Sequence, residues 1–583
     1  MSKIRTIMGV FVVALLAATA PTQASADAID DAKNLLRGQG ALVMDADYID
    51  GIYPPLPIPG LPFPIPVSAL MMQTVPCLGD LSQPLCANYA NTAVTYAGFL
   101  WPGRPALTVV PGIPVPIPLP TCTPAAPAAI PFPPPLPFPL CAGVQLAQDE
   151  AIVLYGTLPP DSPYMGFQFT MHERHPSSIP NYPDNVQPLE PAENPPDPAS
   201  PGRVVVSHSI GDTENSRVLP SGPNPDDPGG RPVFAHIVTG NAQVADMVSS
   251  ALVEAGIPAG GLFIKELPPD YVLTADEFAD SFRMVLRMAE PIPPGELAAW
   301  LATRPLEPFR VTVPGIGVTG YGPVTNIDRD TGVDQKDGTC NIADNWEKFV
   351  ESKFGKPDVR TVMTPRVYDD EFCHHTGTYC WGNNNDALYL NAMTKHEDAM
   401  EVYDLSGPDS RVVVAGIDHV ASGWADVWNW DFYDGHGGGS ALETYLFSEA
   451  QADDYTADFD EFCGRNPANC ACDYPQNECG NWTDKRCAKD PVGCEAAVEH
   501  CRTNYPNPLD GKLYWMQLRQ SCDPEDAHCN ELCAAFEEGT QESDVCEAEP
   551  PEREIMNRVY LSPTTATGPH WTNTRATRIF GYE

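Results

Sequence analysis

Proline sets the first limit on this fold. Residues 51–140 carry 24 prolines but one acid, Asp80, and one base, Arg104. Three runs alternate proline with large apolar residues: LPIPGLPFPIP, PGIPVPIPLP and PFPPPLPFPL. Proline has no N–H to give a ladder, so these runs are excluded from central strands and are expected as polyproline II or sheet-edge segments. They are also too apolar and too weakly charged for an ordinary disordered linker. Their Leu, Ile, Val and Phe side chains need cover, either from the domain beneath them or from a docking partner.

Cysteine sets the second limit. The 18 cysteines fall into a group of four (Cys77 to Cys141), a group of three (Cys340, Cys373, Cys380) and a group of eleven (Cys463 to Cys546). Residues 1–26 run basic, apolar, then small (Ala24-Ser25-Ala26), the order of a secretory signal peptide. An exported chain of this kind is expected to be periplasmic or extracellular, with its cysteines in disulfides. If all pair, two odd groups require a bridge between them. Later stretches are too short or too polar to span a membrane. The net charge of −43, or −45 once Lys3 and Arg5 leave with the signal, repels nucleic acid and anionic membranes.

A chain of 583 residues implies several folding units. After the signal, the expected organisation is a Pro-rich region at 27–150, an α+β domain at 151–325, and a second α+β region at 326–460. A Cys-rich helical insertion at 461–550 and C-terminal strands at 551–583 that complete the main domain follow. Strands are expected at 151–157, 164–172, 204–208, 233–238, 262–267, 282–289 and 309–313. Asn241 caps a helix whose Val244, Met247, Val248, Ala251 and Leu252 share a face. From Val233 the order βαββαβ predicts a ferredoxin-like unit within a larger mixed-sheet domain. Asp386–Val402 is expected as a helix. Cys494–Cys501 and Cys529–Cys533 fit helices, whereas Pro491 and Gly493 interrupt Cys487–Cys494.

Familiar catalytic signatures fail. MHERH at 171–175 has its histidines three apart before Pro176, not four apart on a helix as zinc chemistry needs. His436-Gly437-Gly438-Gly439 lacks the GxSxG elbow that an esterase loop works with. The densest titratable group is CHHTGTYCWGNNND (Cys373–Asp386) with GIDHVASG around His419. In one reading His419 is a general base whose tautomer Asp386 or Asp212 holds, with His374 nearby. In a second, His374, His375 and a carboxylate bind a metal. In a third, His419 is a hydrogen-bonded core histidine and the Asn/Asp residues build turns. Asp328, Asp330, Asp334 and Asp337 in Asn326–Cys340 are spaced for a divalent metal such as calcium, or for a solvated acidic loop.

LYGTLPP, IGDTEN, YCWGNNNDALY and GIDHVASG together resemble an uncharacterised family of exported bacterial proteins. The resemblance spans about residues 140–450 and the final strands, leaving 463–546 as an insertion. It implies no activity and assigns no catalytic residue. The expected function is an exported hydrolase with a His/Asp pair and a small or apolar-containing substrate. The alternatives are a non-enzymatic envelope or matrix interaction protein and a calcium-dependent binding protein.

Overall fold

A computed structural model describes residues 23–45, 75–76, 94–98, 101–102, 104–108, 117–121, 140–141, 143–180, 203–220, 230–276, 278–289, 296, 300, 305–323, 342–365, 370–377, 380, 384–391, 411–434, 441–447, 459–507, 509, 512–519, 529–531, 553–561, 566–569 and 574–582. The chain is α+β and divides into two units. Unit 1 takes Met1–Ala90, Val94–Asn326 and Tyr368–Asn385; unit 2 takes Asn91–Ala93, Ile327–Val367 and Asp386–Glu583.

Unit 1 begins with helix α1 (Gln23–Gly38) and strands β1 (Leu42–Met44), β2 (Val75–Pro76) and β3 (Val94–Gly98). Strands β4 (Glu150–Thr157), β5 (Met165–Arg174), β6 (Val204–Ser209), β7 (Glu214–Asn215) and β8 (Val233–Thr239) follow. Helix α2 (Ala242–Glu254) then leads to β9 (Leu262–Glu266), β10 (Ser281–Ala289) and β11 (Leu306–Thr312). One sheet has the order β1-β11-β4-β8-β9; the other has β6-β5-β10-β3-β2, with β7 also on β5.

Alternation along β4 builds the layers, because successive strand residues face opposite sides. Ile152 and Leu154 enter the core between the sheets with Phe167, Phe169, Met171, Phe234, Phe282 and Met284. Ala151, Val153 and Tyr155 face the other way, onto Ile29, Ala32 and Leu36 of α1 and Val244, Val248 and Leu252 of α2. Asn241 caps α2 as the sequence predicts, its side chain accepting from the Gln243 N–H. The result is a helix layer on a sheet on a second sheet.

The ferredoxin-like unit is not what forms. β8 and β9 are direct parallel neighbours, with Ala235 opposite Leu262, whereas the split arrangement needs a strand between them. β10 instead joins the second sheet and pairs β5 from Met165 opposite Met288 to Glu173 opposite Ser281. Its Phe282, Met284, Leu286 and Met288 are all on one face, and that face finds its apolar partners on β5.

Unit 2 begins with α3 (Ile342–Phe354), β12 (Val359–Val362) and β13 (Thr364–Pro365); α4 (Asp370–Thr376) comes next in sequence but belongs to unit 1. It continues with β14 (Ala387–Asn391), β15 (Arg411–Ile417), β16 (Val427–Asp434) and β17 (Ala441–Phe447). After the Cys-rich segment come β18 (Leu513–Arg519), β19 (Cys529–Glu531), β20 (Arg553–Tyr560) and β21 (Arg578–Tyr582). The sheet orders are β12-β21-β15-β18-β19 and β17-β16-β20-β14-β13. Val412, Val414, Met516 and Ile579 face Leu388, Trp428, Trp430 and Val559 between the sheets. Val413, Ala415, Trp515 and Phe580 face Trp346, Phe349 and Val350 of α3. Each such fully buried large side chain contributes roughly 1.5–3 kcal/mol.

Three local expectations are corrected. The start of Asp386–Val402 is strand β14 rather than helix, because Leu388 and Leu390 alternate into the inter-sheet core. Cys529 opens strand β19, parallel to β18, rather than a helix. The final strands lie in unit 2, β20 in one of its sheets and β21 in the other.

The Cys-rich segment carries α5 (Phe459–Arg465), α6 (Asp484–Cys487) and α7 (Pro491–Asn504). Disulfides join Cys463–Cys470, Cys479–Cys501 and Cys487–Cys494. Pro491 does separate Cys487 from Cys494, but as the first residue of α7, where its missing N–H costs nothing. Cys373 pairs with Cys380 inside its own group. Among the described residues no helix is long and apolar enough to cross a membrane. Of the proline runs, Ile117–Thr121 is described and pairs Arg104–Thr108 as a separate two-stranded ribbon. The calcium-type loop Asn326–Cys340, His436 and most of the other proline-rich residues lie outside the described residues.

Candidate active site

Among the described residues, buried ionisable groups concentrate in unit 1, where β5, β6 and α4 meet. Helix α4 is clipped by the Cys373–Cys380 disulfide, and the Cys380 N–H donates to Val206 of β6 at 2.7 Å. Gly377 closes the helix at φ +73°, and a Cβ there would lie 2.7 Å from Ile179. These restraints seat His374, which is 2% exposed. Its ring lies edge-on to Tyr271 at 4.6 Å and to His208 at 5.5 Å. Its Nε2 is 3.2 Å from Asp270 Oδ2, and the Asp270 side chain is about half exposed, at 49%.

One guanidinium fixes both members of that pair. Arg174 Nη1 donates to the His374 carbonyl at 2.6 Å, and Nη2 to the Asp270 carbonyl at 3.0 Å. Its Nε lies 3.3 Å from Asp280 Oδ1. Asp280 is wholly buried and accepts from the Val272 N–H at 2.9 Å. Beside it, Arg203 pairs with Glu173 at 3.3 Å and donates to the Ala279 carbonyl at 2.6 Å. Glu173 and Arg174 are adjacent, yet both are buried. β5 is buried on both faces along most of its length, and its pairing shifts register between Met171 and Glu173 against both neighbouring strands, a β-bulge just before the two residues. Opposite the bulge, Ser207 has φ +48°, an uncommon conformation for a residue with a Cβ.

Burial decides the charges. Desolvation, with Arg174 adding to it, lowers His374 from its ordinary 6.5 to about 2. Desolvation lowers His208 to about 4, against a hydrogen bond to the Ser209 carbonyl. Both rings are therefore neutral at physiological pH. Desolvation also raises Asp280 to about 6, although Arg174 and Arg203 pull it down.

The residues singled out in the sequence are divided. His374 and Asp212 are in unit 1; Asp386 and His419 are in unit 2. Asp212 follows β6, and its carbonyl receives Lys265 Nζ. The neighbouring loops do converge within unit 1: Thr213 donates to Asn384 at 3.0 Å, and Asn385 to the Gly211 carbonyl at 2.9 Å. Asp386 is fully buried, and its carbonyl accepts from the Leu561 N–H at 2.9 Å. His419 is also fully buried, edge-on to Trp428 at 5.2 Å. Desolvation lowers it to about 3, with no charged group contributing. Asp418 Oδ1 accepts from Trp428 Nε1 at 3.0 Å and from the Val420 and Ala421 N–H groups, so it caps the turn after β15. Among the described residues no group of three or more His, Cys, Asp or Glu is arranged to hold a metal ion.

Sequence reasoning passed over Asp270, Tyr271, His208, Arg174 and Asp280. His208 had a usable signal, since it stands near a strand end before the IGDTEN loop. MHERH was set aside as a zinc helix, but its Glu173 and Arg174 carry the buried pairs.

No family model and no curated protein matches the chain. Among solved structures, an uncharacterised protein from Burkholderia cenocepacia matches at 9% identity over 96% of this chain and 97% of that one. Its TM-score is 0.30.

Proposed function

We propose that the protein is an exported hydrolase whose His/Asp pair is His374 and Asp270, acting on a small or apolar-containing substrate. The observation that carries this reading is the 3.2 Å approach of His374 Nε2 to Asp270 Oδ2, with both backbones held by Arg174. With the Nε2 proton on the side of Asp270, Nδ1 keeps the lone pair; neither ring nitrogen has a hydrogen bond among the described residues, and the Asp270 carboxylate stands at ion-pair distance from Nε2. That nitrogen is the base that takes a proton from water as the water attacks an electrophilic carbon or phosphorus, and the protonated ring returns it to the departing oxygen as the C–O or P–O bond breaks. Burial holds the free ring near 2, so the cation forms only as far as the Asp270 carboxylate, 3.2 Å from Nε2, offsets that burial while substrate is bound. The bulge at β5 and the left-handed Ser207 beside His208 are features that concentrate at working sites. The buried disulfides support an oxidising, exported location.

The test is hydrolysis of nitrophenyl esters, phosphates and glycosides by the mature chain and by His374→Asn and Asp270→Asn. Both variants are expected to lower kcat/KM by about 100-fold or more while melting as the parent does. Retained activity in both, or hydrolysis of none of the three classes, sinks the reading. A second reading, a non-enzymatic envelope or matrix protein, draws support from the stapled helical appendage, whose Val492 is 78% exposed.

A further inference from the structure

The two units share one plan, strand for strand. The edge strand β1 lies on β11 as β12 lies on β21, and α1 and α3 each precede that edge strand. Residues 151–157 of β4 pair with β8 over the same seven positions as 411–417 of β15 pair with β18. The faces agree: Ile152 and Leu154, like Val412 and Val414, point between the sheets. Gly156 and Gly416 fall at the same place, each against a close neighbour that leaves no room for a Cβ. In both units the next strand, β9 or β19, is added in parallel at the same edge.

We propose that the chain is a tandem duplication of one domain, and that Glu214, His236 and Lys265 form a second site in the first copy. The ligand is a small molecule with a hydrogen-bond donor on an apolar or aromatic body.

The second copy serves as an internal control. His236 sits opposite Leu154; Met516 sits opposite Val414, at the same place, and is fully buried. Lys265 lies beside Val238, and Asn530 lies beside Leu518. The fold is thus built with an apolar residue where His236 stands. Burying an imidazole there disfavours folding without a compensating bond. His236 is 1% exposed, and Phe167, Phe234 and Phe263 surround its ring at 4.9, 5.2 and 5.4 Å. Its Nδ1 is 3.9 Å from Glu214 Oε2, and the other Glu214 oxygen is 2.7 Å from Lys265 Nζ. Nε2 has no hydrogen-bond partner among the described residues. Nδ1 is nearer the Glu214 carboxylate but beyond hydrogen-bond distance from it; in the tautomer that carries the proton there, Nε2 is an acceptor walled by aromatic rings. Burial lowers the ring to about pKa 3, so it remains an acceptor across physiological pH. On the same face as His236, at the edge strand β9, Phe263 is only half-buried, and a ligand would enter from that edge.

Phenol is the probe: one O–H donor on one ring. In the mature chain, phenol should shift the His236 Nε2 resonance in long-range ¹⁵N spectra and raise the melting temperature. His236→Met, which copies the second unit, should melt at the parental temperature or higher and lose both responses. Glu214→Gln should stay folded and bind phenol more weakly. His374→Asn should keep the phenol response, which separates this site from the hydrolytic one. The proposal is overturned if phenol leaves Nε2 unmoved or stabilises His236→Met equally. It is also overturned if His236→Met melts more than about 5 °C lower, because His236 would then be a structural residue.

Discussion

Acidification from pH 7 to pH 5 should loosen unit 1 and leave unit 2 almost unchanged. The reasoning starts from four histidines held neutral by burial. His208, His236 and His374 of unit 1 lie at about 4, 3 and 2, and His419 of unit 2 at about 3. A base whose folded pKa is depressed contributes stability above its unfolded pKa, here 6.5. That stability is lost as the pH falls below 6.5 toward the folded values, since the unfolded chain takes up the protons first. Between pH 7 and 5 each such histidine gives up roughly 2 kcal/mol, about 6 kcal/mol for unit 1. Carboxyls with raised pKa act in the opposite sense: they destabilise when ionised, and protonation removes the penalty. Asp280, raised to about 6, returns about 1 kcal/mol to unit 1 over the same interval. In unit 2, Glu347 is raised to about 7 by burial against the pull of Arg578, and it returns about 2 kcal/mol. That cancels His419. His172, also lowered, adds to the loss in unit 1; Glu307 there and Asp418 in unit 2, both raised, act with the acids. A net loss near 5 kcal/mol is comparable to the whole stability of many domains. Hydrogen exchange read by peptide, corrected for intrinsic rates, separates the units: β4 and β5 should lose protection by pH 5 while β15 and β16 keep theirs. Equal loss in both units, or full protection of β4 and β5 at pH 5, would refute the argument.

Other outcomes follow from single contacts. Gly156→Ala places a Cβ 2.0 Å from the Pro305 carbonyl and 2.9 Å from Leu306 Cα, both backbone, so urea melts should show a loss of about 3 kcal/mol. Cys373→Ser with Cys380→Ser opens a seven-residue separation and should cost about 2 kcal/mol in the same assay. It should also abolish any hydrolysis that depends on His374, because the clip that seats α4 is gone.

Much of the architecture was legible in the residues. The strand at 151–157 was legible as a continuous apolar run and the capped helix after Asn241 by its periodicity. Buried strands and amphipathic helices announce themselves through local burial needs. The ferredoxin-like expectation failed at β10, where the element was expected correctly but its sheet was not. An alternating strand declares which face it buries, not which sheet will cover it. Ala387–Asn391 failed for a related reason: a short apolar run after a polar turn fits helix and strand alike, and pairing with β20 decided it. The site followed the same division. His374 was visible because CHHTGTYC is dense in reactive side chains. Asp270 was invisible because it stands alone in PPDYV, and only the fold carries it to within 3.2 Å of the imidazole.

The sequence alone determined composition and much of the local form: the cysteines, the excess of acids, and where most strands and helices of unit 1 begin. These depend on each residue and its near neighbours. Tertiary structure alone decided that one plan occurs twice, that His419 is sealed against Trp428, and that Arg174 joins β5 to α4. Those facts rest on contacts such as Leu42 with Thr312 and Arg174 with His374, far apart in the chain, and such contacts exist only once the sheets have closed on their cores.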